Sequence, residues 1–408
     1  MSNRRAFLTT AAAFGALAVA PPLRAQRAST VMLGDDVFLE EAWRDLAGRN
    51  VGIITNQTGV TSRGASIVDA IRRERPSLRV KALYAPEHGL CGCRPAGAYV
   101  PSYTDDNSGL PVYSLYGPSR HPSEAMLDGV DTLLFDIQDV GSRAYTYIST
   151  MAYAMQSAKM YDREFWVLDR PNPVGGAIVE GPVLEPAYRS FVGLYPIAMR
   201  HGMTIGELAR LFNEQFEIGA RLRVVPMRGW QRTMTWDQTG LTWIRTSPNI
   251  PHWQTTFVYI CTGLLDSAGV NNGVGTDAPF FYAGGLDVDG DALATRLNAR
   301  ALPGVVFQPA RWSPSSGFWA NRTLRGVALT AIDPRTFLAV TTAVELLVAL
   351  RELSPHTFAV KRETLDRDWG TDTLRSALLN GNSANAILAQ WTTQTERFKA
   401  LRSTYLSY

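Results

Sequence analysis

The chain has 408 residues, 46% of them hydrophobic and 19% charged, with a formal net charge of +3. This is the composition of a soluble globular protein, and the length makes two domains the expectation. So small a basic excess excludes the one-sided positive field that nucleic acid binding needs, and the polybasic face that holds a protein on a membrane surface.

At the N-terminus, Arg4-Arg5 precede the apolar run 11–20, Pro21-Pro22 and the small residue Ala25. This is the layout of a twin-arginine export signal over residues 1–25. The run is shorter than the ~20 apolar residues that span a bilayer. The expectation is cleavage near Ala25 and a periplasmic protein with no integral membrane segment. Arg4, Arg5 and Arg24 account for the whole excess of 40 basic over 37 acidic side chains, so the mature chain is near neutral.

From residue 51 onward, short apolar runs alternate with helical periodicity. Strands are expected at 51–55, 80–84, 132–136, 165–168 and 222–226. Helices are expected at 66–74, after the third strand, and at 204–215. In the helix after the third strand, Ile148, Met151, Ala152 and Met155 recur at helical spacing and read as core. Thr204 and Glu207 form a capping box, which makes Glu207 structural. The alternation implies an α/β fold: a Rossmann-like, mostly parallel sheet with helices on both faces.

Polar clusters follow four of these strands: "TNQTG" (55–59), "APEHG" (85–89), "DIQDVGSR" (136–143) and "DRPNP" (169–173). In a doubly wound sheet such strand ends share one edge, and ligands bind in the crevice beyond it. The Gly- and Asn-rich run 267–285 reads as a loop or domain junction. Beyond it, helices at 291–300, 337–353 and 383–391 and a strand at 324–332 indicate a second, smaller α/β domain.

Three cysteines are present. A Cys91–Cys93 ring across Gly92 would be strained. The alternatives are a bridge from either residue to Cys261, or free buried thiols. No Cys/His set has zinc spacing.

Neither a GxSxG elbow nor a phosphate-cradling glycine motif is present. The sheet edge instead carries carboxylates: Glu87, Asp136, Asp139, Asp169 and, further on, Glu180. Paired carboxylates serve glycoside cleavage, and Glu87, held in a turn between Pro86 and His88-Gly89, is a candidate general acid. Each residue also has a plainer reading. Glu87 would cap a helix or pair with an arginine, His201 would cap the following helix, Arg143 would pair with Asp139, Tyr145 would pack, and Asn249 would form a turn.

The ordered segments "GIITNQTG", "APEHG", "FDIQDVGSRAYTY", "DRPNP", "EGP", "YPIAMRHGMTIGELA" and "SPNIP" resemble the exo-β-N-acetylmuramidase (NamZ-like) family of peptidoglycan hydrolases, formerly a domain of unknown function. So does the closing segment "WGTDTLRSALLNG…FKALRSTYLSY". The resemblance runs over essentially the whole mature chain. It implies a Rossmann-like catalytic domain at 28–262, a C-terminal auxiliary domain at 263–408, a cleft between them, and no cofactor. The implied activity is release of terminal β-linked N-acetylmuramic acid from cell-wall saccharides.

By position, the resemblance makes Glu87 the general acid and groups His88, Asp136, Asp139 and Glu180 with it. It places Asn56, Gln138, Arg143, Tyr145, Arg170, Arg200, His201 and Asn249 around the sugar. The substrate's 2-acetamido oxygen could act as nucleophile, oriented by a carboxylate. Muramic acid also carries a lactyl carboxylate that wants a cation, for which Arg143, Arg170 or Arg200 is expected. The family pattern is broken at Asp266, Val274 and Cys91. Two other functions fit the same cleft: a metal-dependent hydrolase with Glu87, His88, Asp136 and Asp139 as ligands, and a non-catalytic periplasmic saccharide-binding protein.

Overall fold

The computed structural model describes residues 31–408. The export signal expected at 1–25 lies outside them. The first half of the described chain builds a seven-stranded sheet from β1 (Asn50–Thr55), β2 (Arg79–Ala85), β3 (Tyr103–Thr104), β4 (Pro111–Ser114), β5 (Thr132–Asp136), β6 (Glu164–Leu168) and β9 (Arg221–Val225). Strands β7 (Glu180–Val183) and β8 (Ala198–Arg200) form a separate ribbon. The sheet order is β3-β4-β2-β1-β5-β6-β9, and every pair is parallel except β3 with β4.

The strands are apolar on both faces because both faces are covered. On β5, Leu133 and Phe135 join one core layer and Leu134 joins the other; on β6, Phe165 and Val167 oppose Trp166 and Leu168. Helices α1 (Gly34–Glu40) and α2 (Ile67–Glu74) cover one face, with Phe38, Ile67 and Ile71 in its core. Helices α3 (Tyr147–Met160) and α4 (Ile205–Glu214) cover the other, where Met151 and Met155 are fully buried. The capping box of α4 forms as expected: the Thr204 hydroxyl accepts from Glu207 N, and the Glu207 carboxylate accepts from Thr204 N.

The second half begins with α5 (Gln254–Thr262) and continues through β10 (Tyr282–Gly285), α6 (Gly290–Asn298), β11 (Val305–Trp312), β12 (Leu324–Ala331), α7 (Ala339–Leu353), α8 (Arg362–Trp369), α9 (Thr373–Leu379) and α10 (Ala384–Ser403). Its antiparallel sheet, ordered β10-β12-β11, shares a core with the helices, to which α5 contributes Phe257, Ile260 and Cys261. The chain then returns to the first sheet. Arg402 donates to the carbonyls of Gly176 and His201, and the Tyr408 hydroxyl donates to Asp169 Oδ2 at 2.8 Å. Among the described residues no helix is long and apolar enough to cross a membrane.

The cysteine expectation is corrected. Cys91 and Cys93 are bonded to each other, and Cys261 is free and buried. Left-handed backbone at Gly89 (φ 76°) and Gly92 (φ 62°) curls the loop until the two Cα atoms lie 5.2 Å apart, while Cys261 is enclosed in the second core.

Candidate active site

The sheet order reverses at β1, because the chain moves outward through β2 and then lays β5 on the opposite side of β1. This reversal is where an open α/β sheet leaves a crevice. The loops on either side are tied together by side chains. Asn56 Oδ1 accepts from the Thr58 amide at 2.9 Å and hydroxyl at 2.5 Å, and Thr58 Oγ1 accepts from Gln138 N at 2.9 Å. Gln138 Nε2 donates to the carbonyls of Asp139 (2.8 Å) and Pro171 (2.7 Å), which brings in the loop after β6.

What these bonds leave over is a set of buried polar atoms without partners: Asn56 Nδ2, Asp136 Oδ2, Gln138 Oε1, Asp139 Oδ1 and His201 Nε2. Buried polar atoms are normally satisfied. Five orphaned atoms at the ends of neighbouring elements mark a surface suited to a polar ligand.

Asp139 sits where the chain turns through Gly141 (φ 84°), whose amide donates to Asp139 Oδ2 at 2.8 Å. Burial pushes the Asp139 carboxyl up to about 7, against the pull of the Gly141 and Val140 amides. Its neighbour His201 accepts from Met203 N at Nδ1, so the ring proton is on Nε2, 3.9 Å from Asp139 Oδ2. Burial, with the charges of Arg402, Arg143 and Arg200, lowers His201 to about 3 and keeps it neutral.

Glu87 leaves the end of β2, half-buried. Its Oε1 accepts from Gly97 N at 2.9 Å and its Oε2 from the Thr146 hydroxyl at 2.7 Å. Burial together with the nearby Glu87 charge pushes Tyr116 up to about 12. Two donors, Gly97 N and the Thr146 hydroxyl, thus fix the carboxylate in one orientation.

A wall of tyrosines joins the two carboxyl groups. Tyr145 packs edge-on against Tyr147 (4.8 Å between ring centres) and against Tyr259 of α5 (5.6 Å). The hydroxyls of Tyr145 and Tyr147 donate to Thr246 Oγ1 and Thr246 O. Gln57 Nε2 holds the same segment through Arg245 O. Tyr259 is raised by burial first, then by Tyr145, Glu87 and Asp139. Both acids thus act electrostatically on this one ring, which packs against the first core.

Other expected site residues are placed elsewhere by the structure. Glu180 is engaged structurally: it accepts from the Ala339 and Thr341 amides at the start of α7 and pairs with Arg200 at 3.2 Å. Arg200 also donates to the carbonyls of Phe337 and Val174 from its two terminal nitrogens. Arg143 is fully buried and donates to the carbonyls of Pro182, Ile197 and Trp369, not to Asp139. Burial lowers Arg143 to about 10. Arg170 is locked between Asp136 (2.6 Å) and Asp35 (2.8 Å). His88, at φ 70°, donates from Nδ1 to Arg94 O and fastens the loop after Glu87. Asn249 is partly exposed in its loop, and Thr246 and Ser247 are the groups that reach Tyr145.

The four expected metal ligands do not converge, since Asp136 is held by Arg170 and His88 by Arg94. Among the described residues no three His, Cys, Asp or Glu side chains gather as a metal requires.

Beside this cluster lies a hollow of about 540 Å³ lined by Thr58, Arg63, Gln138, Arg170, Trp236 and Leu241, among others. Gln138 is common to both. No carboxylate lines the hollow, so it can hold a polar group but cannot protonate one. Sequence reasoning missed Thr146, Tyr116, Thr246 and Tyr259. The first lies inside the "SRAYTY" motif and the third beside "SPNIP"; Tyr116 and Tyr259 left no local signal.

Residues 51–254 match the family "Exo-beta-N-acetylmuramidase NamZ, N-terminal", and residues 257–408 match "Exo-beta-N-acetylmuramidase NamZ, C-terminal". The chain is 43% identical over 409 residues to the peptidoglycan beta-N-acetylmuramidase NamZ of Bacillus subtilis (strain 168), covering 99% of each. Two crystal structures of DUF1343 family proteins from Bacteroides fragilis NCTC 9343 share the fold. One has TM-score 0.87 and 36% identity, with 93% of this chain and 100% of that one covered; the other has TM-score 0.76 and 28% identity, with 93% and 99% covered. With both halves of the family pattern matched in order over nearly the whole chain, the chain belongs to the exo-β-N-acetylmuramidase NamZ family of glycoside hydrolases.

Proposed function

We propose that the protein removes terminal β-linked N-acetylmuramic acid from peptidoglycan fragments, with Glu87 as general acid. The observation that carries this reading is the Tyr145–Tyr147–Tyr259 wall, on which Glu87 and Asp139 both act from different loops. In the first step Glu87 gives its proton to the glycosidic oxygen as the bond to the anomeric carbon breaks. The substrate's acetamido oxygen attacks that carbon, and Asp139, oriented by the Gly141 amide, steadies the positive charge on the acetamido group. Water then opens the ring so formed, with Glu87 taking its proton. Tyrosine faces suit the apolar face of a sugar ring.

Export supports the same reading. The Arg4-Arg5 signal would carry the enzyme to the periplasm, beside its polymer. The test is release of chromophore from a chromogenic β-N-acetylmuraminide by the purified mature protein, run beside the matching glucosaminide. Release from the muraminide is expected, and no release from either would reject the assignment.

A further inference from the structure

Of the three arginines expected to meet the lactyl carboxylate, Arg143 is turned to carbonyls and Arg200 to Glu180 and two carbonyls, while Arg170, which lines the hollow, already has its charge answered by Asp35 and Asp136. Arg143 and Arg200 are each 1% exposed and cannot turn to a substrate without breaking a buried network, and the two carboxylates on Arg170 leave it little charge to offer. A cation with no carboxylate partner is the stronger candidate.

Arg120 is half-buried, with its guanidinium 3.9 Å above the Phe191 ring and 5.7 Å from the centre of the Tyr116 ring. Its contacts are with these two rings, and among the described residues its N–H groups make no hydrogen bond, so they remain available to an anion. Among the described residues it has no ion pair, in contrast to Arg170 and Arg200. Tyr116, the nearer side of this platform to the acid, lies close enough to Glu87 for that carboxylate's charge to join burial in raising its hydroxyl. One aromatic ring therefore separates a free, pre-oriented guanidinium from the proposed acid. Tyr153 stacks on Phe191 from α3 and His121 packs on Tyr153, so the platform is buttressed by neighbouring rings.

We infer that Arg120 is the specificity residue that reads the carboxylate of the terminal sugar, by a charge-assisted pair with the lactyl group. This inference rests on the muramidase reading, but its test separates the two. Arg120 has no part in proton transfer. It discriminates a sugar bearing a carboxylate from one without it, because only the former replaces the water lost from the guanidinium edge.

The test compares wild type, Arg120→Ala and Arg120→Lys on the chromogenic muraminide and on its lactyl methyl ester, which lacks the charge. For Arg120→Ala, kcat/KM on the free acid is expected to fall about 10- to 100-fold. On the ester, wild type and Arg120→Ala are expected to be equal, and Arg120→Lys to recover part of the loss on the acid. Melting temperature and turnover of the ester show that the variants are folded. Equal losses on acid and ester, or no loss on either, would overturn the inference while leaving the muramidase reading standing. A wild type that releases no muramic acid at all would overturn both.

Discussion

His201 Nε2 lies 3.9 Å from Asp139 Oδ2, and both side chains are buried in the first domain beside the cleft. The ring is neutral and its proton is on the nitrogen that faces the carboxyl group. At that distance the pair is not hydrogen-bonded, so His201 is a positioning residue whose N–H dipole faces Asp139 without neutralising it. His201→Phe keeps the ring's bulk and loses that dipole. It is expected to lower kcat a few-fold and to displace the acidic limb of the kcat–pH profile upward, since the positive end of an N–H no longer faces the carboxylate. A variant with an unmoved profile would make the contact purely structural.

Asp139 sets a pH dependence of stability whose sign follows from its shift. In the folded chain its carboxyl keeps a proton up to about pH 7, whereas the ordinary value is 3.8. The folded form binds the extra proton, so this contribution is complete below the ordinary value and is lost as pH rises through about 7. Asp169, raised to about 6 by burial and by Glu207, acts in the same direction. Melting temperature is expected to fall between about pH 5 and pH 8. Asp139→Asn should flatten that slope and lower kcat about 100-fold, because the amide cannot steady the charged intermediate. An unchanged slope would contradict the assignment.

Glu180 separates structure from chemistry. It holds the first turn of α7 and its charge answers Arg200. Glu180→Ala leaves a buried guanidinium unpaired and is expected to cost about 3 kcal/mol of stability, with kcat of the folded fraction unchanged within a few-fold. Thermal unfolding and active-site-normalised turnover measure the two effects. A large loss of kcat at normal stability would restore Glu180 to the catalytic set.

Thr146 is the reverse case. Its hydroxyl donates to Glu87 Oε2 at 2.7 Å. Thr146→Val keeps the shape and frees one carboxylate oxygen. The expected outcome is a drop in kcat of about 5- to 20-fold with melting temperature nearly unchanged. Full activity would show that the orientation of Glu87 does not depend on this bond.

The parallel sheet was legible because its strands are short, uninterrupted apolar runs, each followed by a polar cluster. Thr132–Asp136 matched the expected strand residue for residue, and the other expected strands of that sheet were off by no more than a residue at either end. The short edge strand β3, its short neighbour β4 and the exposed strand β11, where Gln308, Pro309 and Arg311 interrupt the apolar pattern, carry too little periodicity to stand out. Helix α10 runs on to Ser403, beyond the expected 391, because Thr395, Phe398 and Arg402 are buried against the first domain, a contact that sequence spacing does not reveal.

At the site, the motif positions were visible but not their allegiance. A buried arginine that caps carbonyls and one that binds an anion look alike in sequence, and only the partners of Arg143 and Arg200 tell them apart. Tyr259 and Tyr116 were missed because their role comes from domain packing and loop return, not from neighbours in the chain.

The central claim is that Glu87 delivers the proton to the departing oxygen. The most direct measurement is kcat of Glu87→Gln on the chromogenic β-N-acetylmuraminide, with its melting temperature recorded alongside. The account predicts a loss of at least ~100-fold in a protein that remains folded. Turnover within a few-fold of wild type would contradict it.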